Sequence, residues 1–94
     1  KVSVALKPVL KASVNGHEVM FRFRKEGTHG IKLYSRRGSE TEFTFLAVSF
    51  ASPYNDSREK QDPGKSEQRE YYAYYYEKNV DIGQRSDVLK IVVP

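Results

Sequence analysis

The chain has 94 residues, of which 38% are hydrophobic and 13% aromatic, and its formal net charge is +4. This length predicts a single domain over residues 1–94 with one modest core. The absence of cysteine excludes disulfides, thiolate metal sites and cysteine nucleophiles, and no apolar run reaches the roughly 20 residues of a membrane-spanning helix.

The charge is unevenly distributed along the chain. Residues 1–47 carry nine Lys or Arg against four Asp or Glu, whereas residues 48–94 carry seven against eight. A basic half can attract acidic partners, but a mildly basic solvated surface is the simpler interpretation. Because the chain starts at Lys1, we expect it to be a piece of a longer protein.

Hydrophobic alternation with a period of two predicts strands at residues 2–6, ended by Pro8, and then at residues 10–14 and 17–24. The pair Asn15-Gly16 predicts a tight hairpin turn between the last two strands, because both central residues of such a turn need positive φ. The buried face of the return strand is expected to carry Val19, Phe21 and Phe23.

The middle of the chain predicts further strands at residues 31–36 and 43–50, and a short one near Tyr54. Both faces of the 43–50 segment are partly apolar, so we expect it to be buried on both sides or to contain a bulge. Residues 57–68 contain no large apolar side chain, which predicts a crossover loop that is the most mobile part of the chain. A turn is predicted at residues 79–85 and a terminal strand at 88–93.

Five tyrosines lie within residues 71–76. Since neighbouring side chains on a strand point to opposite faces, Tyr71 and Tyr75 share one face, and Tyr72, Tyr74 and Tyr76 share the other. One set is expected to fill a core, while the other lies on an open sheet face, under a loop or against a partner. The predicted core contains Phe21, Phe23, Leu33 and Val88 together with one of these two sets of tyrosines.

Short strands separated by turns, without helical periodicity, predict an all-β fold: a seven-stranded antiparallel sandwich of two sheets. From Gly30 onward the chain resembles a bacterial fibronectin type III-like domain, which is an immunoglobulin-like sandwich. Four segments carry the resemblance, in order and spacing: GIKLYSRRG at 30–38, SPYNDS at 52–57, EYYAYY at 70–75 and SDV at 86–88. Phe23 stands in for the family's usual core tryptophan, and Ile31 for a tyrosine.

The resemblance implies that Tyr71 and Tyr75 point inward and that the tyrosine strand pairs with the strand at 31–36. The predicted contact surface is then the outward set Tyr72, Tyr74, Tyr76, Lys32, Tyr34 and Arg36. Such a surface is a stabilising cross-strand ladder, a contact for a protein surface, neighbouring domain or second copy, or a stacking platform. A carbohydrate is one candidate for stacking, whereas nucleic acid is disfavoured by the acidic second half of the chain.

The side chains that could carry chemistry do not form a recognisable catalytic, metal or cofactor site. His17 and His29 lie in turns without metal-ligand spacing, and the acidic residues of 56–67 alternate with Lys and Arg, which is unlike a calcium loop. No serine occupies a nucleophile elbow. The sequence therefore predicts a non-catalytic accessory or interaction module of a larger bacterial protein. The alternatives are a carbohydrate-binding module and a domain that orients a neighbouring catalytic domain.

Overall fold

Eight antiparallel β-strands make up the described part of the chain, residues 7–94 of a computed structural model. The strand predicted at residues 2–6 lies outside the described residues. Residues 7–94 form no helix of the length and hydrophobicity that a membrane span requires. The strands are β1 (Lys11–Asn15), β2 (Glu18–Arg22), β3 (Gly30–Arg37), β4 (Thr44–Ser49), β5 (Tyr54–Asp56), β6 (Glu67–Glu77), β7 (Val80–Ile82) and β8 (Leu89–Val93).

The strands form two antiparallel sheets, which confirms the predicted all-β, two-sheet architecture. Residues 7–94 contain eight strands and not the predicted seven, because the segment after β6 adds the short strand β7. One sheet has the order β1-β2-β5, and the other has the order β4-β3-β6, with both β7 and β8 on the far side of β6. Strand β8 pairs with the first half of β6 and β7 with its end, so the 11-residue β6 is the central strand of the larger sheet. Its length follows from the alternation that begins at Glu67, four residues before the first tyrosine.

The predicted hairpin between β1 and β2 is confirmed, but its turn lies one residue later than expected. Asn15 pairs with Glu18 as part of the ladder, so Gly16 and His17 are the two central residues. Only Gly16 has positive φ, 64°. A glycine with positive φ at the first central position is the pattern of a type II′ turn, which suits the twist of an antiparallel hairpin as well as the predicted type I′.

A second tight hairpin corrects the prediction that residues 79–85 form only a turn. Lys78 and Asn79 both have positive φ, 50° and 66°, which allows a two-residue turn between β6 and β7. The turn brings Val80–Ile82 back alongside β6, and these residues form a strand within the segment that was expected to be irregular. Glycine is absent from this turn, so the sequence signal on which the first hairpin depends is missing here.

Strand β4 contains the bulge that was one of the two predicted outcomes. Leu33 pairs with Ala47 while the next residue, Tyr34, pairs with Phe45, which leaves Leu46 as the extra residue. Leu46 packs against the core from this position. The bulge therefore breaks the simple alternation of β4 and places Phe45 beside Tyr34, on the side of the sheet away from the core.

The core lies between the two sheets and has two adjoining clusters. One contains Phe23, Ile31, Leu33, Ala73 and Tyr75; the other contains Val19, Phe21, Tyr71 and Val93. Leu46 and Tyr54 pack against both clusters and join them. The inward positions predicted for Phe21, Phe23, Leu33, Tyr71 and Tyr75 are thus confirmed. The core position predicted for Val88 is wrong, because this residue is only half-buried and precedes β8. The fully buried residue of β8 is Val93.

The crossover between β5 and β6 is held at several points by polar contacts. The backbone amide of Gln61 donates to the Glu67 carboxylate at 2.8 Å, and Lys60 Nζ donates to the Pro94 carbonyl at 2.8 Å. Residues 67 and 68 belong to β6, so the predicted loop is shorter than expected. Residues 61–66 are the exposed part of the crossover.

We expect limited digestion with trypsin to cut first after Lys65. This residue lies in the exposed run, whereas Arg58, earlier in the crossover, is held by hydrogen bonds from its guanidinium to Asp56 and Ser35. Mass spectrometry of the earliest fragments identifies the bond. A first cut within the β1–β2 hairpin, after Lys11 or Arg22, would show that the crossover is not the least protected segment.

Candidate contact surface

The six residues of the predicted surface lie together on the outer face of the five-stranded sheet. The register pairs Tyr34 with Tyr72, Lys32 with Tyr74 and Arg36 with Glu70 across β3 and β6. Tyr72, Tyr74 and Tyr76 alternate along β6 with the buried Tyr71, Ala73 and Tyr75, as the sequence predicts. All six residues are half-buried. We call this surface, with the phenylalanines added below, the aromatic face.

Tyr34 and Tyr72 stack on one another across the two strands. Their ring centroids are 5.0 Å apart and the ring planes differ by 19°. Tyr74 meets both rings edge-on, at 6.3 Å from Tyr34 and 6.2 Å from Tyr72. These geometries are those of favourable aromatic pairs, so the three tyrosines stabilise the pairing of β3 with β6.

Three phenylalanines extend the aromatic face and were not part of the predicted surface. Phe43 packs on Tyr72 with centroids 4.7 Å apart, Phe45 on Tyr34 at 6.3 Å and Phe50 on Tyr76 at 6.5 Å. Phe45 and Phe50 are 56% and 55% exposed, the most exposed rings of the face. The sequence does not predict on which side of the sheet Phe45 lies unless the bulge in β4 is located first, because both faces of the 43–50 segment are partly apolar.

Cations lie over the rings at both ends of the aromatic face. Lys32 Nζ is within 6 Å of the ring centroids of Tyr34, Phe45 and Tyr76, at 5.6, 5.8 and 5.9 Å. The guanidinium of Arg36 lies 4.7 Å from the Phe43 centroid. These distances are within the range of cation–π attraction.

Two of the cations of the aromatic face are also paired with carboxylates. Arg36 donates two hydrogen bonds from Nη2 and one from Nε to Glu70, at 2.8–3.1 Å. Lys32 Nζ lies 3.7 Å from the Asp81 carboxylate. The hydrogen bonds to Glu70 therefore hold the Arg36 guanidinium in a fixed position, which lowers the entropic cost of using it in a contact.

Arg85 covers part of Tyr72 from the β7–β8 connection, with its guanidinium carbon 5.0 Å from the ring centroid. Burial among these neighbours, with the adjacent Tyr74 and Tyr34, raises the pKa of Tyr72 above its ordinary value. The Tyr72 phenol is therefore neutral at physiological pH and contributes an apolar ring and a hydroxyl to the face.

The charged groups of the interior form a second cluster that the sequence analysis missed. Arg69 is fully buried, and Asp56 and Glu67 are nearly so. Arg69 Nε donates to Glu67 at 2.7 Å, and Arg69 Nη1 donates to Asp56 at 3.4 Å. Asp56 also accepts from Arg58 Nε at 2.8 Å and from the Tyr71 hydroxyl at 2.6 Å. We call this set the ionic cluster.

The protonation states of the ionic cluster follow from its geometry. Burial alone would raise the pKa of Asp56, but hydrogen bonds from Arg58 and Tyr71 outweigh it and hold this pKa below its usual value. Burial and the bond to Asp56 raise the pKa of Tyr71 far above its usual range. Asp56 is thus ionised and Tyr71 is protonated, and the cluster ties β5 and the start of β6 together.

No group of three or more His, Cys, Asp or Glu within residues 7–94 is arranged to hold a metal ion. The two histidines are engaged near turns: His17 Nε2 is 3.3 Å from the Glu59 carboxylate, and His29 Nδ1 accepts from the Lys78 amide at 3.3 Å. Comparison of the chain with protein-family models, with curated proteins and with solved structures gives no match. Functional inference therefore depends on the surfaces themselves.

Proposed function

We propose that this domain is a non-catalytic interaction module whose aromatic face binds another protein surface, either a neighbouring domain or a second copy of the chain. The carrying observation is that Phe45 and Phe50 remain more than half exposed beside five further aromatic rings and three cations. Large contiguous apolar patches on a monomer commonly mark contact sites, and tyrosine with arginine is enriched in binding hot spots.

The chain's arrangement supports a place among the immunoglobulin-like sandwiches, and the fibronectin type III-like resemblance is part of the same proposal. The first, second and fifth strands share one sheet, and the third, sixth and last share the other. That division is the one described for immunoglobulin-type sandwiches. Strand β4 pairs with β3 and not with β5, unlike the constant-type arrangement. Bacterial accessory modules of this resemblance act as spacers or contacts, which suits a face without catalytic groups.

Carbohydrate binding is the weaker candidate. Sugars stack on a free ring face, but Tyr34 and Tyr72 cover one another at 5.0 Å, and Arg85 lies over Tyr72. A sugar would need to displace these contacts. A protein partner needs only the exposed rings of Phe45 and Phe50, with the stacked tyrosines as a rigid support.

We expect the double variant Phe45→Ser/Phe50→Ser to weaken association of the domain by at least about tenfold, because exposed aromatic anchors at a contact contribute most of its affinity. Sedimentation equilibrium of the domain at high concentration measures self-association, and co-purification measures association with another protein. The matched control is Val80→Ser, which removes an apolar side chain that is 58% exposed on β7. The control is expected to associate like the wild type.

The variant Tyr72→Ser/Tyr74→Ser tests whether the stacked tyrosines stabilise the sheet, separately from the binding role proposed for Phe45 and Phe50. Loss of the stacked rings is expected to lower the melting temperature, since cross-strand pairs stabilise the sheet. If the domain is monomeric at high concentration and its association with other proteins persists with Phe45 and Phe50 replaced, the proposed contact is wrong. Titration with oligosaccharides that changes tyrosine fluorescence would instead favour carbohydrate binding.

A further inference from the structure

A cavity of about 420 Å³ opens beside the end of β2, apart from the aromatic face. Phe23 and Tyr75 line it and are 8% and 2% exposed, so only small parts of these core rings reach the cavity. Val9, which is 66% exposed, adds an apolar side chain. The volume is within the range of pockets that take a small ligand or one anchoring side chain.

The cavity is strongly basic. Lys7, Lys11, Arg22 and Arg24 line it, against the single carboxylate of Glu26. Lys7 is paired with Asp87 at 3.0 Å, but within residues 7–94 no ion pair involves the other three cations. Residues 1–6 contain no Asp or Glu, so their side chains cannot supply the missing carboxylates.

Two of these cations are placed against each other by the β-ladder. Lys11 of β1 is directly opposite Arg22 of β2, and both are exposed. Like charges directly opposite one another destabilise a sheet. An unfavourable local arrangement of this kind, with no compensating group among residues 7–94, is typical of a site that binds a ligand or partner. An anion placed between the two side chains removes the repulsion.

The geometry points to an acidic segment of another protein as the occupant: we propose that its large apolar side chain enters the cavity and that flanking carboxylates pair with Lys11, Arg22 and Arg24. Three cations without an ion-pair partner among residues 7–94 call for more than one anionic group. Stacked nucleic-acid bases fit less well, because they require open ring faces and those of Phe23 and Tyr75 are almost enclosed.

The test uses fluorescence anisotropy of the full chain with a labelled, end-blocked peptide, Asp-Glu-Phe-Glu-Asp, at low ionic strength. We expect binding that weakens by at least about tenfold in Lys11→Gln/Arg22→Gln. The matched control Lys65→Gln/Lys90→Gln removes the same charge from exposed positions that do not line the cavity, and is expected to change affinity by less than about twofold. Replacing Phe by Ala in the peptide is expected to weaken binding as well.

Several results would overturn this proposal. One is no binding of the peptide at millimolar concentration, and another is equal loss of affinity in both charge variants, which indicates attraction to net charge alone. Equal binding of the Phe and Ala peptides would remove the role of the cavity. Tighter binding of a single-stranded oligothymidylate that depends on Arg22 would assign the site to nucleic acid. Unchanged melting temperatures of both variants show that a loss of binding is not a loss of folding.

Discussion

Replacing Arg69 with methionine is expected to lower the free energy of unfolding by about 3–5 kcal/mol, which is the usual cost of breaking a buried ion pair by removing one partner. Arg69 is fully buried, and its guanidinium donates to Glu67, Asp56 and the Arg58 carbonyl. Methionine fills much of the same volume but supplies no donor. The buried Glu67 carboxylate then loses its closest charged partner.

Urea unfolding followed by circular dichroism measures this change, with Arg24→Met as the matched control. Arg24 is exposed, so the same substitution there is expected to alter the free energy of unfolding by no more than about 0.5 kcal/mol. Equal effects of the two variants would show that the ionic cluster contributes nothing specific to stability.

The pH dependence of stability gives a second measurement on the same variant. Burial alone would raise the pKa of Glu67 and of Asp56, but hydrogen bonds from Gln61 and Arg69 to Glu67, and from Arg58 and Tyr71 to Asp56, lower both pKa values. A lowered pKa in the folded state means that the stabilisation is complete above the unfolded-state pKa of about 4 and is lost as the pH falls through the folded-state value. We expect the free energy of unfolding to fall less on acidification in Arg69→Met than in the wild type.

The sequence was sufficient for the β-pairings that depend on local patterns. Asn15-Gly16 located the first hairpin, and the alternation through residues 71–76 divided the tyrosines between two faces, of which the structure buries the one with Tyr71 and Tyr75. These features follow from the period of a strand and from the φ angles of a turn. Both depend on residues that are close together in the chain.

The ionic cluster could not be located in this way because its partners come from two strands and its members are usually solvated. The alternation of β6 does carry a signal: continued backwards from Tyr71, it places Arg69 and Glu67 on the inward face. The signal was ambiguous, since a charged residue at an inward position also marks the end of a strand. The partner Asp56 becomes apparent only when β5 is brought beside β6 by the fold.

The position of the predicted bulge, and the basic cavity as a whole, were missed for a similar reason. The register shift in β4 is defined by its pairing with β3, and it decides the side on which Phe45 lies. The cavity lies where β2 ends at Arg22, and the next two residues, Phe23 and Arg24, line it. The basic excess of residues 1–47 was visible, but its concentration beside one cavity was not.

Replacing Phe23 with alanine is expected to lower the free energy of unfolding by about 3–5 kcal/mol, the cost of truncating a buried aromatic side chain. Phe23 is 8% exposed and packs in the cluster of Ile31, Leu33 and Tyr75. A loss of this size is a large fraction of the stability of a small domain. Tyr75→Ala, in the same cluster, is expected to have an effect of similar size.

Phe45→Ala is the matched control for this prediction, because it truncates the same side chain on the outer face, where Phe45 is 56% exposed. Its effect is expected to be about 1 kcal/mol or less, from the loss of its contacts with Tyr34 and Lys32. Thermal melts and urea unfolding of the variants measure the difference. If Phe23→Ala melts within a degree or two of the wild type, or if Phe45→Ala is the more damaging change, the inner and outer faces of the sandwich are assigned the wrong way round.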